Sequence, residues 1–202
     1  MKKGGKRSFR IFPFVLLVSY IVLFLVFSIN PYDRMAWFAD NILIVIIVLI
    51  LVMTYKKFQF SNTSYLMMSF LIFINTIGAF YTFSRVPFFV EIANLFGLTR
   101  NYYDRLGHFA FGLWTYPVFE LVYRKKLIEN KIICFLFSIF SVLAIGSLYE
   151  VIEWVAVLIS PESGLIYLAA QGDFFDTPKD LLLNFIGALF GVLVFWLKVL
   201  KK

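Results

Sequence analysis

The stretch QGDFFDTPKDLLLNFIGALFG, Gln171 to Gly191, decides how this chain is read. It opens polar and acidic, passes through a helix start and ends in uninterrupted hydrocarbon. Thr177 suits an N-cap, Pro178 the first helical position, where no amide bond is lost, and Asp180 the third, where an acid meets free amides. Asp176, Asp180 and Asn184 recur at spacings of four, which puts three polar side chains on one helical face. The run beyond Asn184 is apolar enough to enter a bilayer, where an uncompensated polar group is costly. A polar face running into a membrane predicts both the kind of fold and the place of the site.

The rest of the chain agrees. Of its 202 residues, 61% are hydrophobic and 15% charged. Soluble domains carry about a quarter charged residues and lack runs near the ~20 apolar residues that cross a bilayer. Here such runs recur, so the expected fold class is all-α, a polytopic transmembrane helical bundle. Helices are the open option because every backbone group in hydrocarbon must be paired within its own segment. About six spans are expected: Ile11 to Ile29, Phe38 to Tyr55, Ser64 to Phe83, Leu106 to Tyr123, Ile132 to Trp154 and Leu181 to Val199. No long soluble segment divides them, so residues 1–202 read as a single integral membrane domain. The first run ends in Asn30 and Pro31 without a small-x-small cleavage site, and is expected to be retained. Cys134 is the sole cysteine and lies in an apolar run, which excludes an internal disulfide and points to packing.

Lysine and arginine set the orientation. With the N-terminus cytoplasmic, fourteen of the 19 fall on the inner side, including Lys2, Lys3, Lys6, Arg7, Lys56, Lys57, Arg124, Lys125, Lys126 and Lys131. Both termini are then cytoplasmic. The net charge of +7 reflects these flanks, and no nucleic-acid partner is expected. Ten of the 12 acids fall on the opposite, outer side, with only Glu120 and Glu129 inside. An acidic outer face favours a cation or metal over a bare anion.

Two outer connections have structure of their own. Phe88, Phe89, Ile92, Leu95 and Phe96 recur at helical spacing after Pro87, which suits a short helix in the interface or packed on the bundle. Ser160 to Thr177 is polar and is expected to fold over the mouth of the bundle. Gly187 and Gly191 form a GxxxG, a close-packing surface.

Alternating direction through the membrane brings distant polar residues to one level. The fourth span starts outside with Asp104, Arg105 and His108, the fifth ends outside with Glu150 and Glu153, and the sixth starts there with Asp173, Asp176, Asp180 and Asn184. Asp104 and His108 share a face at i,i+4, as do Glu150 and Glu153 at i,i+3. Asp104 reads equally as a helix cap, and Arg105 as an interfacial anchor. Glu150 comes after an uncharged run from Ile132 to Tyr149, and an intramembrane carboxylate needs a partner, for which His108, Arg105 and Asn184 are available. His108, Glu150 and Asp180 are the candidates for catalysis; Asp104, Arg105, Glu153, Asp173, Asp176 and Asn184 are candidates for a binding cluster. One imidazole among carboxylates favours Mg²⁺, Mn²⁺ or Ca²⁺ over Zn²⁺ if a metal binds. Without metal, His108 beside a carboxylate suits a general base. Asn75, Thr76, Tyr81 and Thr82 form a second polar patch, expected to bond back onto their own helix. No GxSxG, HExxH, P-loop or dinucleotide motif is present.

The stretches YTFSRVPFF (Tyr81 to Phe89), GLTRNYYDRLGHFAFG (Gly97 to Gly112), SLYEVIEW (Ser147 to Trp154) and Gln171 to Gly191 resemble the YjdF-like family of bacterial inner-membrane proteins, from about Asn30 to the C-terminus. A looser likeness is to the VanZ-like group, whose Asp-x-x-x-His-Phe, later intramembrane Glu and Asp-x-x-x-Asn before a Gly-x-x-x-Gly helix are matched by Asp104, His108, Phe109, Glu150, Asp180, Asn184, Gly187 and Gly191. The resemblance implies a multi-pass protein of the bacterial plasma membrane with a role at the outer face of the envelope; it supplies no reaction. Two functions are expected on these grounds. One is a protein whose outer polar cluster binds an envelope lipid, a cell-wall intermediate or a cation. The other is a membrane-embedded enzyme acting on a lipid-linked substrate.

Overall fold

The computed structural model of the chain describes residues 10–168 and 171–200. Among the described residues it is helical, with no strand. The helices are α1 (Ile11–Val26), α2 (Arg34–Thr54), α3 (Asn62–Phe80), α4 (Pro87–Leu95), α5 (Tyr103–Gly112), α6 (Thr115–Lys125), α7 (Lys131–Ile159), α8 (Pro161–Leu168) and α9 (Asp176–Phe195), closed by a π-helical turn (Trp196–Leu200). Four are long and apolar enough to cross a membrane: α2, α3, α7 and α9 with its extension; α1 is apolar but shorter. Their outward faces carry exposed Val22, Leu49, Met53, Phe140, Leu148 and Leu193. An apolar surface on that scale suits hydrocarbon rather than water.

Local chemistry fixes the helix starts. Asp33 Oδ1 accepts a 2.8 Å bond from the Ala36 amide, so α2 begins at Arg34 rather than near Phe38. Ser61 caps α3 through the Ser64 amide, and Asn130 caps α7 through the amides of Ile132 and Ile133.

The fourth expected span, Leu106 to Tyr123, is not one helix. It divides into α5 and α6 around Leu113 and Trp114. Pro117 is the cause: it has no amide to give to the Leu113 carbonyl four residues back, and its ring crowds that carbonyl. The Leu113 carbonyl instead accepts from the Tyr116 amide at 3.0 Å.

α9 packs against α5, α6 and α7, with its closest approach to α5. Glycines make that approach possible. A Cβ on Gly187 would strike the Phe109 carbonyl, and one on Gly112 would strike the Asn184 carbonyl. The GxxxG is therefore a packing surface. Below it, Tyr116, Phe119, Cys134, Ala188 and Phe195 form a buried core, with the Phe119 and Phe195 rings stacked at 4.4 Å. Cys134 is fully buried, as its apolar run suggested. A second core joins α2, α3 and α5 through Trp37, Leu71, Ile74, Phe83, Tyr103 and Ala110.

The Pro87 segment is helical, and it is two-sided. Phe89 meets Tyr103 edge-on at 5.1 Å and Ala93 is buried, whereas Phe88, Leu95 and Phe96 are exposed. Within 160–177, α8 folds back along α7 and also meets α2; residues 169 and 170 lie outside the described residues.

Candidate functional site

Three helices deliver the expected cluster to one end of the bundle. α5 supplies Asp104, Arg105 and His108, α7 supplies Glu150 and Glu153, and α9 supplies Asp176, Asp180 and Asn184; all eight are buried. Asp173, in the turn before α9, is half-buried and joins them. The spacings of four along α9 do put Asp176, Asp180 and Asn184 on one buried face.

The outermost layer is an arginine–carboxylate network. Arg105 Nη2 lies 2.6 Å from Asp176 Oδ1 and 3.3 Å from Asp173 Oδ2, while its Nη1 contacts Asp180. Arg100 contacts the same Asp176 oxygen and lies 3.6 Å from Asp173 and 3.8 Å from Asp104. Arg105 is thus a buried partner of α9, not an interfacial anchor. Lys179 reaches back to Asp173 at 2.6 Å, and the Phe175 amide also donates to it. The Lys179 bond, with that amide and the Arg100 charge, holds the Asp173 carboxyl below the usual carboxylate range against its partial desolvation.

Thr177 is not the cap of α9. The helix begins two residues earlier than that cap implies, at Asp176, with no side-chain cap. Thr177 Oγ1 donates instead to Glu150 Oε2 at 2.9 Å. Asp176, held by two arginines, supplies the negative charge at the helix start that a cap and an Asp180 at the third position were expected to give.

Beneath the arginines lies His108. Its Nε2 is 3.6 Å from Asp104 Oδ1, 3.5 Å from Glu150 Oε1 and 3.6 Å from Asp180 Oδ1. These separations exceed a hydrogen bond, whose N···O distance is about 2.7–3.2 Å. Glu150 Oε1 has no hydrogen bond, and Asp180 Oδ1 has the Arg105 guanidinium against it. One turn deeper, neither side-chain atom of Asn184 has a hydrogen-bond partner, and the residue is fully buried. One ligand atom each from Asp104, His108 and Asp180 lie within 4.8 Å of one another.

A third group sits beside this one. Glu153 is buried, and the charges that act on it most strongly are those of Asp104, Glu150, Asp40 and Asp180. Asp40 comes from α2 and receives the Tyr149 hydroxyl at 3.4 Å. A cavity of about 80 Å³ opens here, with Asp104, His108 and Glu153 on one side and Leu43, Ile44 and Ile145 on the other.

Several members were not singled out from sequence. Asp40 interrupts an apolar run, the same signal that singles out Glu150. Arg100 sits four residues before Asp104, which pairs them once the segment curls into α5. Asn101 stitches the entry to α5: its side chain donates to the carbonyls of Phe83 and Ser84 and accepts from the Tyr103 amide at 3.0 Å. Its backbone exchanges bonds of 3.1 and 3.2 Å with the Gln171 side chain. Of the second polar patch, Thr82 bonds locally, its hydroxyl donating to the Tyr81 carbonyl at 2.7 Å, but Asn75 and Thr76 do not bond back onto α3. Asn75 donates to the Asp40 carbonyl and Thr76 to Asn41 Oδ1, because α2 packs close enough to compete with the local carbonyls.

Comparison with known proteins places the chain in a family. Residues 12–201 match the family described as "Predicted membrane protein (DUF2238)". One relative is "Inner membrane protein YjdF" of Escherichia coli (strain K12), 32% identical over 186 residues that make up 88% of this chain and 87% of that one. No solved structure matches. The VanZ-like likeness rests on its motifs alone. With a family match over nearly its whole length and a relative of this identity, the chain belongs to the DUF2238 family of YjdF-like membrane proteins.

Proposed function

We propose that this chain is a multi-pass protein of the bacterial plasma membrane that binds a divalent cation in the polar cluster at its extracytoplasmic side. The observation that carries the reading is His108 Nε2, set 3.5–3.6 Å from one oxygen each of Asp104, Glu150 and Asp180. For metal–ligand bonds of roughly 2.1–2.4 Å, neighbouring ligand atoms stand about 3.0–3.4 Å apart and opposite ones about 4.2–4.8 Å. The atoms here are spaced close to the ligands of an ion rather than as partners of one another. A single imidazole among carboxylates favours Mg²⁺, Mn²⁺ or Ca²⁺ over Zn²⁺. Charge supports this too. The cluster and its surroundings hold seven carboxylates, those of Asp40, Asp104, Glu150, Glu153, Asp173, Asp176 and Asp180, against the positive charges of Arg100, Arg105 and the exposed Lys179. Both termini on the cytoplasmic side and six crossings, with α5 and α6 together forming the fourth, are part of the same proposal.

The test is metal content and thermal stability of the detergent-purified protein with Mg²⁺, Mn²⁺, Ca²⁺ and Zn²⁺, chelator as control. An ion that binds only the folded state raises its melting temperature. The expected result is a shift with Mn²⁺ or Ca²⁺ that Glu150→Gln and His108→Ala each abolish while remaining folded. No shift with any ion sinks the reading and leaves the cluster as an internal fastening.

A second reading is a membrane-embedded enzyme on a lipid-linked substrate, with His108, Glu150 and Asp180 as acid, base or ligands. The cavity beside His108 favours it. Its mark would be variants of His108 that keep their fold and metal but lose the cell's phenotype.

A further inference from the structure

The cavity beside the cluster has two unlike walls. One is acidic, formed by Asp104 and Glu153 next to His108; the other is hydrocarbon, formed by Leu43, Ile44 and Ile47 of α2, with Phe111 and Ile145. Leu43 and Ile145 also belong to the outer surface of the bundle, exposed by 43% and 53%. The space therefore opens sideways between α2 and α7, onto the face that hydrocarbon covers. α2 packs along α3 and α8, and the Tyr149–Asp40 bond ties it to α7 above the opening.

Glu153 is the second observation. It is 7% exposed, lines this cavity and makes no hydrogen bond to any described residue. The charged groups that act on it most strongly, Asp104, Glu150, Asp40 and Asp180, are all acids. The two arginines are engaged on the far side, with Asp173, Asp176 and Asp180. A carboxylate buried among acids keeps its charge only with a cation beside it, and a cation that arrives from the bilayer carries hydrocarbon with it.

We propose that this cavity is a lateral binding site for a membrane lipid with a primary-amine headgroup, its ammonium held by Glu153 and its chain lying between Leu43 and Ile145. About 80 Å³ is room for several waters or one small headgroup. The acyl chain stays outside, along the apolar faces of α2 and α7. Glu153 is not among the carboxylates that face His108 Nε2, although Asp104 and His108 border both sites.

The experiment is native mass spectrometry of the detergent-purified protein with phosphatidylethanolamine, phosphatidylglycerol and phosphatidylcholine of identical acyl chains. Wild type should retain phosphatidylethanolamine about tenfold better than either competitor, the scale of one charge-assisted hydrogen bond. Glu153→Gln should lose the preference by removing the charge. Leu43→Trp should reduce retention with Glu153 intact, by filling the mouth. Equal retention of the three lipids by wild type, or an unchanged preference in both variants, overturns the proposal. Melting curves with Mn²⁺ on the same samples separate the two ideas: a Mn²⁺ shift that persists in Glu153→Gln while the lipid preference vanishes fits both. A missing shift in wild type with the preference intact removes only the cation reading.

Discussion

Arg105 and Asp176 are paired out of water: Arg105 Nη2 lies 2.6 Å from Asp176 Oδ1, with side chains 8% and 9% exposed. Arg100 meets the same oxygen, so one carboxylate gathers the segment before α5, α5 itself and the start of α9. Removing one member of a buried pair strands the other, at roughly 3–5 kcal/mol. Arg105→Met is therefore expected to lower the melting temperature in detergent far more than Lys179→Met, whose ammonium is exposed and whose bridge to Asp173 is worth about 1 kcal/mol at most. Equal effects of the two would show that the ion pairs do not hold α5 to α9.

Asp173 gives the pH dependence of the same network. Its folded carboxyl is held below the usual range, chiefly by Lys179, so the unfolded chain takes up its proton first as pH falls. The stabilisation from Asp173 is complete above the ordinary aspartate value of about 3.9 and is lost as pH drops through the lower folded value. Asp173→Asn should therefore melt below wild type at neutral pH, and the gap should close in acid. A gap that stays constant from pH 7 to the acid limit would remove the charge from the explanation.

The other end of the bundle has its own fastening. Glu120 is buried and accepts from the Ser61 amide at 2.9 Å, from the hydroxyls of Ser61 and Ser64, and from Arg124. It ties the α2–α3 connection to α6. Glu120→Ala leaves several donors unmet, each at about 1–3 kcal/mol, and is expected to destabilise more than Glu129→Ala, whose side chain is exposed. Comparable melting of the two variants would refute this.

What could be read from the sequence, and what could not, divides along physical lines. Spacing along one helix was legible: Asp176, Asp180 and Asn184 share a face because a helix forces it. So was the meeting of Asp104, His108, Glu150 and Asp180, since intramembrane polar groups must find each other. Partnerships set by tertiary distance were not. Thr177 has the side chain of a cap, but Glu150 lies within its reach once α7 and α9 pack. Asn75 and Thr76 had carbonyls nearby and found α2 instead. The break in the fourth span was visible as Pro117, yet hydropathy averaged over about twenty residues passes across a single proline.

Close packing at the glycines predicts a graded response. A Cβ at Gly187 would meet the Phe109 carbonyl, a backbone atom that moves only with its helix. At Gly191 the nearest atom is the Leu113 carbonyl at 3.1 Å, tight but open to a small adjustment. Gly187→Ala should cost on the order of 1–3 kcal/mol, the usual penalty of overpacking, and Gly191→Ala should cost less. The order of the two melting temperatures decides it; the reverse order would mean that α5 and α9 approach elsewhere.

Topology is the prediction on which the side of the site depends. Cys134 is buried, so Cys134→Ser gives a cysteine-free background into which single reporters can be placed. Glu91 in α4 and Glu129 between α6 and α7 are both exposed, and the lysine–arginine asymmetry puts them on opposite sides. Glu91→Cys should react with a membrane-impermeant maleimide on cells with a permeabilised outer barrier and an intact plasma membrane. Glu129→Cys should react only after that membrane is opened. The reverse pattern would turn the acidic cluster towards the cytoplasm, and its ligand would then come from the cell interior rather than from the envelope.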